Sequence, residues 1–468
     1  MEGRKLVVVE ANEVPVRVIE DLAPSGRIPF LAGLLENGTL IETVAGESLP
    51  RELYPSQTWA SMNTGVPYEQ HGIYWYGDRK SPEHPFYWQA AARAGRSVGL
   101  VNTLHSSPVN EQCSGGNFRF AIPDCFSSDD QTIPSRYWRF QRANTALTEA
   151  NGRQVRSRPG RTELADLARS VPTLGLRRST LVDLARLVGG VAARRTPPER
   201  LRAGQFLLQR DLFLRLLKAE RPDLALLFTN HVAASMHRYW YALYPDDFAE
   251  EHYGQRWVER YRDEVPRAME LLDEFLKDLN SWCIHNDRTL AIASSMGQGP
   301  SARLATTVGY EAVIVDANSF LDAVGISTDD VTVLGSMVPQ LTLSCRTAES
   351  AATVAATLAG ADVGEVFWDV DGSDAMVTLT YRFEVVDSQT IKILGLKRPS
   401  SVAGVEVYQV DDHSSGRHIP LGILGVSNSP SFKPPPGGLV DYLEFAPAAL
   451  EHLGLSTGRS HLDPSFAL

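Results

Sequence analysis

The sequence predicts an α/β protein, with a mostly parallel sheet sandwiched by helices, a helical insertion and a small α+β inserted subdomain. Three observations carry this. Short apolar runs recur and end on polar side chains, as buried parallel strands do at their carboxyl ends. Amphipathic segments separate these runs, and strand–helix alternation marks a parallel sheet covered on both faces. Two stretches, 105–220 and 331–410, break the rhythm.

The first strand is Leu6–Val9, which delivers Glu10 at its end. Amphipathic segments follow at 14–22 and 28–36, and Thr39–Val44 reads as a second strand. Helices near 57–64 and 83–95 lead to a strand at Ser97–Val101. From 105 to 220 the chain is rich in Arg, Ser and Pro, with helical patches at Leu164–Arg169 and Phe206–Glu220; it reads as a helical insertion or cap. Its arginine runs, Arg177-Arg178 and Arg194-Arg195, read as solvated faces. Asp223–Thr229 resumes the strand pattern and enters a helix-like segment from Asn230 to Trp240. A long helix at 254–282 precedes the strand Thr289–Ala293, which ends in Ser294-Ser295-Met296-Gly297-Gln298. Strands at Gln340–Ser344, Val363–Asp369, Met376–Tyr381 and Ile391–Leu394 surround a helix at 347–359. The predicted division is core 1–104, insertion 105–220, core 221–330, subdomain 331–410 and core 411–468.

At 468 residues the chain is long enough for one large domain with insertions, or for two domains. A net charge of −11 argues against a nucleic-acid groove, which needs a basic footprint. It leaves room for a small anionic substrate, for which one local arginine cluster suffices. Met1-Glu-Gly-Arg-Lys5 runs straight into a strand with no leader pattern. No run approaches the roughly 18 apolar residues of a spanning helix. Cys113, Cys125, Cys283 and Cys345 are scattered and read as free buried thiols, although Cys113 and Cys125 could pair. A cytoplasmic enzyme is the expectation.

The stretch Tyr54–Ile73 holds Tyr54-Pro55-Ser56-Gln57-Thr58, then Thr64-Gly65 and His71-Gly72. It places the Thr58 hydroxyl where a loop turns into a helix, and free N–H groups at a helix start favour an alkoxide or an incoming anion. In order and spacing it resembles the nucleophile segment of the alkaline phosphatase superfamily, in its nucleotide pyrophosphatase/phosphodiesterase branch. Gly416-Arg-His418, Gly422-Ile423 and Phe445-Ala-Pro447 through Leu453-Gly454 are similar to the superfamily's closing segment. The resemblance implies an alkaline-phosphatase-like fold. It also implies a threonine nucleophile and two divalent ions held by carboxylates and imidazoles.

Carried over by resemblance, the first carboxylate falls on Glu10, the nucleophile on Thr58, and two histidine ligands on His237 and His418. His231 and Asn230 stand nearest to a missing aspartate, and Ala233 lies four residues before His237. The family's Asp-His-Gly is replaced by Ser295-Met296-Gly297, and a thioether is a poor ligand for borderline ions. The expectation is therefore a reduced site holding one zinc or manganese ion, with Glu10, His231, His237 and His418 as its candidate ligands. Asn12, Trp59, His105, Ser294, Ser295 and Gln298 are candidate substrate contacts. Glu13 and Asn12 are read as turn and N-cap residues. The implied activity is a phosphoesterase or phosphodiesterase acting on a small anionic ester. Two other readings stay open: a degenerate member that binds an anion or a partner without hydrolysis, and a transferase of phosphoryl or sulfuryl groups.

Overall fold

The computed structural model describes residues 4–47, 53–76, 78, 83–127, 129–150, 161–196, 200–301, 309–334, 340–371, 374–410, 415–456 and 464–468. Its centre is an eight-stranded sheet. Six strands come from the first 300 residues: β1 (Lys5–Ala11), β2 (Leu40–Val44), β3 (Val98–Val101), β4 (Phe118–Ile122), β5 (Leu224–Thr229) and β6 (Arg288–Ala293). The tail adds Leu421–Ser427 and Leu439–Asp441. The order across the sheet is Leu439–Asp441, β2, Leu421–Ser427, β6, β1, β5, β3, β4. Every neighbouring pair is parallel except those made by Leu421–Ser427, which runs antiparallel to β2 and β6. One strand, β4, comes from inside the stretch that reads as a helical insertion.

β1 and β5 are continuous apolar runs because both sheet faces are covered. Val7 and Val9 join one hydrophobic cluster, with Leu212, Phe213, Leu272 and Phe275. Leu6 and Val8 join the other, with Trp59, Trp88, Tyr442 and Phe445. Burying a side chain of this size contributes roughly 1.5–3 kcal/mol. Glu10 continues the alternation on the Leu6–Val8 side, under the helix Pro55–Thr64, and this sets where its carboxylate points.

Within the expected insertion, helices run at Trp138–Ala150, Arg161–Leu174, Arg178–Ala192 and Leu201–Glu220. Where one long helix is expected at 254–282, two are found, Gln255–Tyr261 and Glu264–His285. Val313 through Val407 build a separate core around Phe320, Leu343, Leu358, Val377 and Leu379. Its four-stranded sheet, Val331–Leu334, Gln340–Cys345, Gly364–Asp371 and Asp374–Tyr381, packs on the helix Ala348–Gly360. None of the four cysteines is paired. Among the described residues no helix is long and apolar enough to cross a membrane.

Candidate metal centre and nucleophile

The three central strands β6, β1 and β5 end side by side, with Glu10 in register with Ala293 and Ala11 with Thr229. Their carboxyl ends therefore release Ser294-Ser295, Asn12-Glu13 and Asn230 into one place, the usual location of a site in an open α/β sheet. The helix His231–Leu243 leaves from β5 and carries His237 back over the same edge. A short antiparallel pair, β7 (Gly297–Pro300) with Gly416–Ile419, sets Gln298 opposite His418. Side chains directly opposite in such a pair share a face.

Two glycines permit this crowding. A Cβ on Gly416 would lie 2.6 Å from Gln298 Oε1 and 2.7 Å from the Met236 carbonyl oxygen. A Cβ on Gly422 would overlap the Ser294 carbonyl oxygen and lie 2.8 Å from Thr43 Oγ1.

Glu13, His237 and His418 form the cluster at this edge, with ligand atoms all within 4.8 Å of one another. His237 Nε2 is 2.8 Å from Glu13 Oε2, and His418 Nε2 is 3.4 Å from the same oxygen. The other ring nitrogens face backbone carbonyls: His237 Nδ1 at 3.1 Å from Gly416 O, and His418 Nδ1 at 2.6 Å from Leu53 O. A carbonyl can only accept, so each Nδ1 carries a proton and each Nε2 is turned toward the carboxylate. This carbonyl-oriented imidazole is how proteins hold histidine ligands to a metal.

Glu13 itself is held from behind. Asn12 Nδ2 donates to its Oε1 at 2.8 Å, and Gln298 Nε2 donates to its Oε2. The Asn12 amide orientation is fixed because Trp59 Nε1–H donates to Asn12 Oδ1 at 2.8 Å, while Asn12 Nδ2 also donates to Asn230 Oδ1 at 2.7 Å. Burial pushes the Glu13 carboxyl up, but the charges of His418 and His237 and their hydrogen bonds outweigh it. The net shift is well below the usual carboxylate range. Its backbone φ of 61° is left-handed, an uncommon conformation for a side chain other than glycine.

Thr58 sits in the fourth position of the helix Pro55–Thr64, fully buried. Its N–H bonds the Tyr54 carbonyl at 2.9 Å. Its Oγ1 lies 3.2 Å from that same carbonyl oxygen and 2.8 Å from Ser295 Oγ. Ser294 Oγ accepts from the Val14 N–H at 3.1 Å and donates to the Ala11 carbonyl, stitching the ends of β6 and β1. Tyr54 stands between the two parts, its ring 5.9 Å from that of His418. It also lies 5.4 Å from Trp75, which is 6.2 Å from Phe367 of the second core.

The structure thus gathers Asn12, Trp59, Ser294, Ser295, Gln298, His237 and His418 about one strand edge, with Thr58 bonded to Ser295. Three other sequence candidates lie outside the cluster. Glu10 is buried beneath the Pro55–Thr64 helix, its Oε1 accepting from Asn63 Nδ2 at 3.0 Å, and burial pushes its carboxyl up to about 7. His231 stacks on Phe206 at 3.8 Å, and both its nitrogens are engaged, by Thr229 Oγ1 at 2.7 Å and Ala268 O at 3.1 Å. Burial lowers its pKa to about 3. His105 puts Nε2 2.6 Å from the Ser56 carbonyl and stacks on Phe86, bracing the start of the Pro55–Thr64 helix.

The residue that sequence reasoning passed over is Glu13. It belongs to the loop after β1, three residues beyond the strand-end carboxylate that the resemblance selected. The one available signal was the second acid in Glu10-Ala-Asn-Glu13.

No family model and no curated protein matches the chain. Among solved structures it is similar to phosphonoacetate hydrolase from Sinorhizobium meliloti 1021 in complex with phosphonoacetate, at 14% identity and a TM-score of 0.44, over 97% of this chain and 96% of that one. It is also similar to murine ectonucleotide pyrophosphatase/phosphodiesterase 5 (11% identity, TM-score 0.40) and to the human protein of that name (12%, 0.39), with the same coverage.

Proposed function

We propose that this chain is a metal-assisted hydrolase of a phosphoric or sulfuric ester, with Thr58 as the attacking hydroxyl and one divalent ion held by Glu13, His237 and His418. The observation that carries the proposal is the pair of imidazoles whose Nδ1 atoms are tied to backbone carbonyls while both Nε2 atoms face one carboxylate oxygen. With their Nε2 protons displaced by the ion, two neutral imidazoles and one carboxylate would suit zinc, with manganese as second choice, and would leave a position open for water or substrate. An ion held by Glu13, His237 and His418 would supply Lewis-acid chemistry at this edge.

The remaining work falls to the chain. Asn12 and Gln298 keep Glu13 aimed, while His418 and His237 keep it ionised. Trp59 fixes Asn12. Ser295 holds the Thr58 oxygen within hydrogen-bond reach and, as a hydroxyl that accepts one proton while giving up another, relays the Thr58 proton toward the leaving oxygen. Attack by Thr58 Oγ1 on phosphorus forms one P–O bond and breaks the bond to the leaving alkoxide, which takes up a proton. Water then cleaves the threonine ester. We take the 105–220 and 331–410 segments as the parts that receive the non-reacting portion of a small anionic substrate, and the cytoplasm as its setting. Phe367, close to Trp75, is the second core's point of approach.

One observation favours a second reading. The Thr58 hydroxyl is fully buried, and its partners are a carbonyl and a serine, neither of them a base. A hydroxyl in such a setting also suits an anion-binding protein that does not hydrolyse. Metal analysis of the purified chain, with turnover of a nitrophenyl phosphodiester before and after Thr58→Ala, separates the two. Hydrolysis that disappears with Thr58 supports the hydrolase. Bound metal without turnover supports the binder, and turnover only with an added alcohol supports a transferase.

A further inference from the structure

The arginine-rich segment carries a surface that the catalytic reading does not use. The helix Arg178–Ala192 is apolar on both sides. One side packs inward, with Thr180 buried and Leu184 against the main core. The other faces solvent, and along it run Leu181, Val182, Ala185, Val188, Gly189 and Ala192. Leu181 is 47% exposed, Val182 46% and Val188 58%. Residues at these spacings form one continuous stripe on a helix. Cations bound it: Arg178 at the start, Arg186 on the flank with 78% of its side chain exposed, and Arg194 and Arg195 just past the end. The acid of the helix, Asp183, is 3.8 Å from Arg186. Residues 131–220 hold more than twice as many Lys and Arg as Asp and Glu, although the whole chain has a net charge of −11.

We propose that this stripe is a docking surface for an anionic lipid bilayer, on which the helix lies in the interface plane. An exposed apolar face framed by arginines is the pattern of helices that seat in the headgroup region. Charge selects this occupant over a second copy of the chain. A two-fold pairing through the stripe sets Arg178, Arg186, Arg194 and Arg195 against their own copies, and like-charge juxtaposition opposes association. Anionic headgroups instead pair with all four while the aliphatic side chains enter the acyl boundary. The proposal stands apart from the metal centre and does not depend on Thr58.

The test is co-sedimentation of the full chain with vesicles of equal parts phosphatidylcholine and phosphatidylglycerol, and with vesicles of phosphatidylcholine alone. The expected result is binding to the anionic vesicles only, weakened by salt. Replacing Arg178, Arg194 and Arg195 by Gln lowers the partition coefficient about a hundredfold, at about fivefold for each arginine near an anionic surface. Leu181→Ser with Val188→Ser lowers it about tenfold or more. Val188→Trp supplies a check that leaves the apolar face intact: its added emission shifts to shorter wavelength on anionic vesicles. Equal binding to neutral vesicles, no binding to anionic ones, or variants that bind like the parent chain overturn the proposal. So does concentration-dependent dimerisation abolished by the Leu181 and Val188 changes, which assigns the stripe to a second copy. Equally tight binding to polyglutamate assigns it to acidic protein.

Discussion

Glu10 offers a quantitative test, because its carboxylate was the sequence's first choice of metal ligand and the structure gives it another environment. It is fully buried at the end of β1, bonded by Asn63, and burial raises its pKa from 4.5 to about 7. That change corresponds to about 3 kcal/mol. Below pH 4.5 the carboxyl is protonated in both folded and unfolded chains and contributes no pH dependence. Between pH 4.5 and 7 the folded chain keeps the proton that the unfolded chain has released, so stability falls as pH rises. Above pH 7 the loss is complete, at about 3 kcal/mol for this group. Glu10→Gln keeps the shape and the buried amide contact but cannot ionise. Urea unfolding of parent and variant at pH 5 and pH 8 is the assay. The variant is expected to show a smaller stability decline between the two values and to be the more stable form at pH 8. A variant with the parent's full pH slope refutes the burial argument. A Glu10→Gln chain that loses its metal refutes the placement of this residue outside the metal centre.

The other predictions concern the edge of the sheet. Glu13→Gln, His237→Ala and His418→Ala each weaken zinc binding by at least the tenfold-to-hundredfold typical of losing even an outer partner, as titration calorimetry will register. Gln298→Leu removes the amide behind Glu13 and lowers zinc affinity within that same range, about 10- to 100-fold, leaving the ligand count unchanged by absorption spectroscopy of the cobalt form. Thr58→Ala keeps metal content but loses nitrophenyl phosphodiester turnover, and Thr58→Ser restores it in part. Gly422→Ala forces a methyl group into the Ser294 carbonyl and costs about 1–3 kcal/mol in a urea denaturation curve.

Much of the fold was legible because its physics is local. β1, β5 and β6 are buried on both faces, so each carries a short apolar run, Leu6–Val9, Leu224–Phe228 and Leu290–Ala293, that a pattern can register. The helices of the second core keep clear capping signals, such as Thr347 with Ser350. β4 was hidden because five residues, Phe118-Arg-Phe-Ala-Ile122, are too short to stand out inside an arginine-rich stretch. The site was less legible than the sheet. Strand alternation sends Glu10 under a helix, while the carboxylate that meets the imidazoles belongs to a turn with a left-handed backbone, which no periodicity reports. His237 and His418 are separated by the whole second core, and the pairing of Gly416–Ile419 with β7 and the bonds of Ser415 and Gly416 to the helix of His237 bring them together. His231 looked available, but its ring is spent on Thr229, Ala268 and Phe206. The outward stripe on Arg178–Ala192 was also invisible, because a helix apolar on two sides has no single face that a pattern can assign to solvent.

The most direct measurement is the metal content of the full-length chain purified without chelators and equilibrated with zinc, determined beside Glu13→Gln and Glu10→Gln. The account predicts one tightly held ion per chain, lost with Glu13 and retained without Glu10. Two ions per chain, or an ion that depends on Glu10 and not on Glu13, contradicts it.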